Sequence, residues 1–128
     1  MKKISVSIPG GSGRMGKTLN GLIIENVNYN LASSTCLPGE DEEGLDIGIL
    51  SGKTKISKKL TSDFSSLFLN SRVLIDFTVP EATMFHAQKC YENNMSIVIG
   101  TTGLTLSQED ELLFLAKKIP IVYSANFS

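Results

Sequence analysis

The stretch Ile8-Pro9-Gly10-Gly11-Ser12-Gly13-Arg14-Met15-Gly16-Lys17 constrains this chain more than any other. Four glycines fall within seven positions, Gly10 to Gly16. They follow Lys3 to Ile8, whose alternating Ile4, Val6 and Ile8 predict a strand. They precede Met15, Leu19, Leu22 and Ile23, whose spacing predicts a helix over residues 13–27. Gly10, Gly13 and Gly16 are therefore a G-x-x-G-x-x-G turn between a strand and a helix. A side chain at Gly10 would obstruct the turn, and one at Gly13 would hold an anion away from the backbone. One at Gly16 would push the helix off the sheet. The unpaired N–H groups and positive dipole end of the helix favour a pyrophosphate there. The turn is a dinucleotide-binding candidate, with Gly10, Gly11, Ser12, Gly13, Arg14 and Met15 around the phosphates. Arg14, a cation in the first helical turn, is poorly placed for the dipole and well placed for a ligand phosphate. Pro9 removes a strand donor and has no functional reading.

The remaining elements alternate. Tyr29 to Leu37 predicts a second strand. Residues 38–59, with the acidic run Glu40-Asp41-Glu42-Glu43, read as a long solvated loop holding at most short strands. A short helix is expected over 61–69, with Leu67 and Phe68 inward, and a strand over 72–77. Thr78-Val79-Pro80-Glu81 reads as a capped helix start, with the helix running to about Asn93. Ser96 to Ile99 is a strand, and Thr105-Leu106-Ser107-Gln108 opens another capped helix to about Lys118. Pro120 to Ser124 is the fifth strand. Strands alternating with helices predict an α/β fold, a doubly wound parallel sheet of the Rossmann-like kind. Ligands of such sheets bind beyond the carboxyl ends of the strands. The glycine turn, Asp76-Phe77-Thr78 and Gly100-Thr101-Thr102-Gly103 all fall there.

Composition narrows the classes. The 128 residues suffice for one domain with a core. Net charge is −1, which argues against a nucleic-acid binder working by phosphate neutralisation. No apolar run is long enough for a membrane helix, and Met1-Lys2-Lys3-Ile4 does not read as a signal peptide. Cys36 and Cys90 make no metal or CxxC pattern and are expected as free buried thiols of a cytoplasmic protein. His86, the one histidine, falls inside a helix and is given no role. A nicotinamide dinucleotide site usually has an acid after the second strand to hold the ribose hydroxyls. That region here is Ser33-Ser34-Thr35-Cys36-Leu37, without one. With no acid to repel a 2′-phosphate, and Arg14 to attract it, the reading leans slightly to NADPH over NADH.

"GSGRMG" after Gly10, "IDFTVPE" (75–81), "VIGTTG" (98–103) and "ANFS" (125–128) occur in this order along the chain. Together they make the whole chain closely resemble the 4-hydroxy-tetrahydrodipicolinate reductase (dihydrodipicolinate reductase) family of bacterial lysine and diaminopimelate synthesis. The resemblance implies a cytoplasmic oxidoreductase that reduces a cyclic unsaturated dicarboxylate with NADH or NADPH. It implies Gly10 to Met15 at the pyrophosphate, and Phe77 and Thr78 lining the pocket. It puts Gly100, Thr101 and Thr102 by the nicotinamide, Thr102 also reaching substrate, and Ser124, Ala125, Asn126 and Phe127 over the cofactor. Many members carry an acid where Cys36 stands and often a base where Leu37 stands, and both are lost here. The family's second domain, with a His-His motif, a catalytic lysine, a Ser-Gly-Thr segment and the homotetramer contacts, has no counterpart in these residues. Residues 1–128 are expected to be the dinucleotide-binding domain alone, without catalytic residues or a metal and with apolar surface left open. The alternative is a non-catalytic nucleotide-binding module or sensor that kept only this domain.

Overall fold

The computed structural model describes residues 2–125. β1 (Ile4–Ile8) leads through α1 (Arg14–Glu25) to β2 (Tyr29–Ser34). A loop carrying α2 (Ile47–Leu50) and a 3-10 turn (Phe64–Phe68) leads to β3 (Val73–Asp76). Then come α3 (Pro80–Glu92), β4 (Ser96–Ile99), α4 (Leu106–Leu115) and β5 (Ile121–Tyr123). The five strands form one sheet in the order β2-β1-β3-β4-β5, every pair parallel. The expected doubly wound α/β fold is the observed one.

Apolar residues pack as two clusters. Val6, Ile8, Ile23, Leu31, Ile47 and Leu60 make one, and Leu74, Ile97, Ile99, Leu112 and Leu115 belong to the other. Neighbouring residues of β3 divide between them, Leu74 in the second and Ile75 against the first, so the clusters lie on opposite faces. Each fully buried Leu or Ile contributes about 1.5–3 kcal/mol of transfer free energy. The direction of chain reversal changes between β1 and β3, and the crevice beyond their carboxyl ends is the topological switch point.

Several local expectations are corrected. The buried residues of α1 are Gly16, Asn20, Gly21 and Ile23, whereas Met15 and Leu22 are exposed. The helix sits too close to the glycine turn for a bulky face. Asn20 instead donates to Ser34 Oγ (2.9 Å), which donates to the Ile8 carbonyl (2.8 Å). β2 stops at Ser34, and Thr35 continues only as a bridge to Thr61. Residues 38–59 are more ordered than a wet loop. The Asp46 carboxylate accepts N–H bonds from Ile49, Ile56 and Lys58, caps α2 and lets Ile47 into the core. Desolvation works against the charged form of Asp46, but these main-chain donors outweigh it and hold the carboxyl below its ordinary range. The helix expected over 61–69 is a 3-10 turn begun by Asp63, with Leu67 buried. Thr78 does not cap α3. Val79 holds that position without a side-chain bond, because the Thr78 hydroxyl donates to Asp76 instead. The capping box at α4 forms as its sequence predicts, Thr105 and Gln108 bonding reciprocally.

Candidate functional site

The glycine turn joins β1 to α1. Gly10 has φ +70°, a left-handed conformation that a side chain would strain, and an added Cβ would also lie 3.2 Å from Thr78 Cγ2. At Gly16 a Cβ would lie 2.0 Å from the Gly10 carbonyl oxygen. The constraint at this third glycine is therefore the turn's own backbone rather than the sheet. At Gly13 the nearest atom to a Cβ is the Gly10 oxygen at 3.5 Å, an ordinary contact, so the protein itself leaves room for a methyl there. Gly11, which the sequence places around the phosphates, also has a packing role that the spacing does not show. Its Cβ would stand 2.0 Å from Ser34 Oγ, and its N–H donates to the Thr35 carbonyl (2.7 Å), which docks the turn on β2.

Gly13 is the N-cap of α1, and among the described residues no side chain caps that N-terminus. The first-turn N–H groups of a helix must be met by a cap, by water or by a ligand. A backbone cradle that a methyl would fill, at an uncapped N-terminus beside the switch point, fits a pyrophosphate. Arg14 occupies the first position of α1 and is exposed, as is Met15. Ser12 is half-buried, and its hydroxyl donates to Glu40 (2.9 Å).

The turns after β3 and β4 lie alongside. Asp76 is fully buried and organises both. Its Oδ1 accepts the Thr78 N–H (2.9 Å) and the Thr78 hydroxyl, its Oδ2 lies 2.7 Å from His86 Nδ1, and its carbonyl accepts the Gly100 N–H (2.8 Å). The lone histidine therefore has a structural partner that its sequence position did not reveal. Thr101 Oγ1 lies 2.6 Å from Thr83 Oγ1 and accepts the Thr78 N–H (3.1 Å). The Thr101 side chain is buried in this network. Thr102 is exposed. Gly100 lies under the Phe77 ring, where a Cβ would come within 2.1 Å of ring carbon Cε2. Phe77 and Thr78 are half-buried at the mouth of the crevice. Ser124 follows β5, its N–H donating to the Ile99 carbonyl (3.0 Å), and Ala125 is exposed. Asn126 and Phe127, expected over the cofactor, lie outside the described residues.

Cys36 and Cys90 are free and buried. Burial first, and the charges of Glu40, Glu43 and Glu42 after it, push the Cys36 thiol up. Among the described residues there is no group of three or more His, Cys, Asp or Glu able to hold a metal, and no helix long and apolar enough to cross a membrane. Away from the crevice, Leu106, Leu113, Phe114 and Val122 on α4 and β5 expose large apolar side chains. A groove there is lined by Leu112, Leu113, Ala116, Ile121 and Tyr123.

Residues 4–127 match the family described as dihydrodipicolinate reductase, N-terminus. A 4-hydroxy-tetrahydrodipicolinate reductase of Acinetobacter baumannii is 39% identical over 123 residues, which is 96% of this chain and 45% of the relative. The Burkholderia cenocepacia reductase of the same name is 38% identical over 125 residues, 98% of this chain and 47% of its own length. The chain thus spans less than half the length of these relatives. A dipicolinate-bound dihydrodipicolinate reductase from Paenisporosarcina sp. TG-14 superposes with TM-score 0.65 at 28% identity, over 89% of this chain and 43% of that one. A Staphylococcus aureus homoserine dehydrogenase shares the fold alone, with TM-score 0.70 at 18% identity over 98% of this chain and 33% of that one.

Proposed function

This chain belongs to the dihydrodipicolinate reductase family, matching its N-terminal domain, and from that we propose that it is the nicotinamide dinucleotide-binding domain of a cytoplasmic reductase acting on 4-hydroxy-tetrahydrodipicolinate. The observation that carries the reading is the uncapped N-terminus of α1 behind a glycine turn at the switch point, with the turns after β3 and β4 beside it. The bound dinucleotide would supply the hydride. The protein's own groups bind and orient it. Main-chain N–H groups from Gly10 to Met15 hold the pyrophosphate, and Arg14 adds a cation. Phe77, Thr78, Gly100, the Thr101 main chain and Thr102 flank the nicotinamide, with Ser124, Ala125, Asn126 and Phe127 closing over it. Thr102, exposed at the end of β4, also reaches the substrate.

Proton delivery is assigned elsewhere. The one histidine is buried against Asp76 and does not face the crevice mouth as an acid would need to. We assign proton donation and substrate carboxylate binding to a further domain, which would also cover the apolar strip on α4 and β5. Calorimetric titration of the purified 128-residue protein with NADH and NADPH tests the reading. Saturable binding of a dinucleotide, abolished by Gly13→Val, is expected, together with no turnover of substrate. A folded protein that binds neither dinucleotide would overturn it.

A further inference from the structure

In a site of this kind the adenosine ribose lies between the glycine turn and the end of the second strand, where an acid commonly receives its 2′- and 3′-hydroxyls. Residue counting places that acid at Cys36 or Leu37 and finds none. The structure supplies one by another route. After Leu37 the chain turns back through Pro38 and Gly39, the latter at φ +85°. This returns Glu40 to the mouth of the site. Glu40 Oε1 accepts the Ser12 hydroxyl (2.9 Å), and Oε2 accepts the Leu37 N–H (2.6 Å). One carboxylate thus bridges the glycine turn and the segment that follows the second strand.

We propose that Glu40 is the ribose-recognising and specificity-determining residue of this site, and that it selects NADH over NADPH. The inference rests on the dinucleotide-binding reading above. The Ser12 hydroxyl presents to Glu40 the same donor chemistry that a ribose hydroxyl would present. A carboxylate accepts such hydroxyls readily and repels a 2′-phosphate, which carries close to two negative charges at neutral pH.

The surroundings reinforce the choice. Glu43 accepts the Gly39 N–H (3.0 Å) and fixes the turn that delivers Glu40. Lys17, the neighbouring cation on α1, is bound to Glu42 at 2.7 Å. The slight lean to NADPH rests on the absence of an acid and on Arg14 as the attracting cation; Glu40 supplies an acid against the first ground, while Arg14 stays exposed at the start of α1.

The test is a titration of NADH and NADPH against the parent protein, Glu40→Gln and Glu40→Arg, with circular dichroism to establish folding. The parent is expected to bind NADH at least about tenfold more tightly than NADPH, with the ratio shrinking at high salt as screening weakens the repulsion. Glu40→Gln should weaken NADH about tenfold and move the ratio towards one, and Glu40→Arg should invert it. The salt series on the parent answers the question even if both variants fail to fold. Saturable binding with NADPH favoured, or a preference unmoved in folded Glu40→Gln, or a preference indifferent to salt, would overturn this proposal and leave the cofactor-domain reading standing. No binding of either dinucleotide would overturn both.

Discussion

Gly13 and Gly16 stand three residues apart in one motif, and their substitution should have opposite consequences. An alanine at Gly16 places its Cβ 2.0 Å from the Gly10 oxygen and 2.9 Å from Gly11 Cα. Ordinary contact begins near 3.4 Å, so helix and turn must separate by more than an ångström, and both obstacles are main chain. Overpacking of this sort costs about 1–3 kcal/mol, and rigid backbone puts it at the upper end. Replacing an interior helical glycine returns about 0.8–1 kcal/mol. The net loss is about 2 kcal/mol, which for a domain of this length lowers the melting temperature by about 7 °C. Gly13→Ala meets nothing closer than 3.5 Å and has an ordinary φ of −78°. The weaker N-cap and the stiffer unfolded chain nearly offset each other, so its melting temperature should stay within about 2 °C. Its methyl stands where the pyrophosphate is assigned, and NADH affinity should fall about tenfold or more, a change of about 1.4 kcal/mol. Thermal melts followed by circular dichroism, paired with NADH titrations, measure both. The reasoning fails if Gly16→Ala melts with the parent, or if Gly13→Ala unfolds early while binding normally.

NADH at about a hundred times its dissociation constant should stabilise the fold by about 2.7 kcal/mol, raising the melting temperature by about 10 °C in a ligand-concentration series. Asp76→Ala strips the half-buried Thr78 hydroxyl of its acceptor and the buried His86 of its partner, and should cost about 2–3 kcal/mol in urea unfolding; a loss below about 1 kcal/mol would refute its organising role. Burial, and secondarily the charge of Asp76, push the Cys90 thiol from near 9 up to about 12. The unfolded thiol ionises first, so its contribution is whole below pH 9 and drains as pH rises towards 12. Urea midpoints should therefore fall less steeply above about pH 9 in Cys90→Ala than in the parent.

What could be read from the residues alone was what is encoded locally. Strand alternation in Ile4 to Ile8 and the reciprocal Thr105–Gln108 cap are complete within a few positions, and both formed as expected. Residues 38–59 were misjudged because their organiser, Asp46, works through N–H groups that have no side-chain signature. Thr78 had two acceptors for its hydrogen-bonding choices, and the nearby carboxylate of Asp76 won over the helix terminus. The packing role of Gly11 and the placement of Glu40 were hidden for a shared reason. Gly11 meets Ser34 of β2 and Glu40 meets Ser12, 28 positions before it, and only the folded chain brings these pairs together. Buried Asn20 in an otherwise apolar-looking helix face was the one available hint that α1 meets something polar and close.

β1 is paired on both sides by parallel neighbours, Ile4 with Tyr29 and Val6 with Val73. No hairpin can form this sheet, and each pairing waits on the closure of a long intervening loop. On the ribosome, β1 and β2 can meet early, but the other edge of β1 stays bare until β3 has been made, an opening for wrong pairings. The same schedule governs the crevice. Gly10 rests against Thr78, and Thr78 is held by Asp76 and Thr101. A nascent chain can therefore dock the glycine turn on β2 first, while the nicotinamide side of the crevice arrives late, when the third and fourth strands take their places.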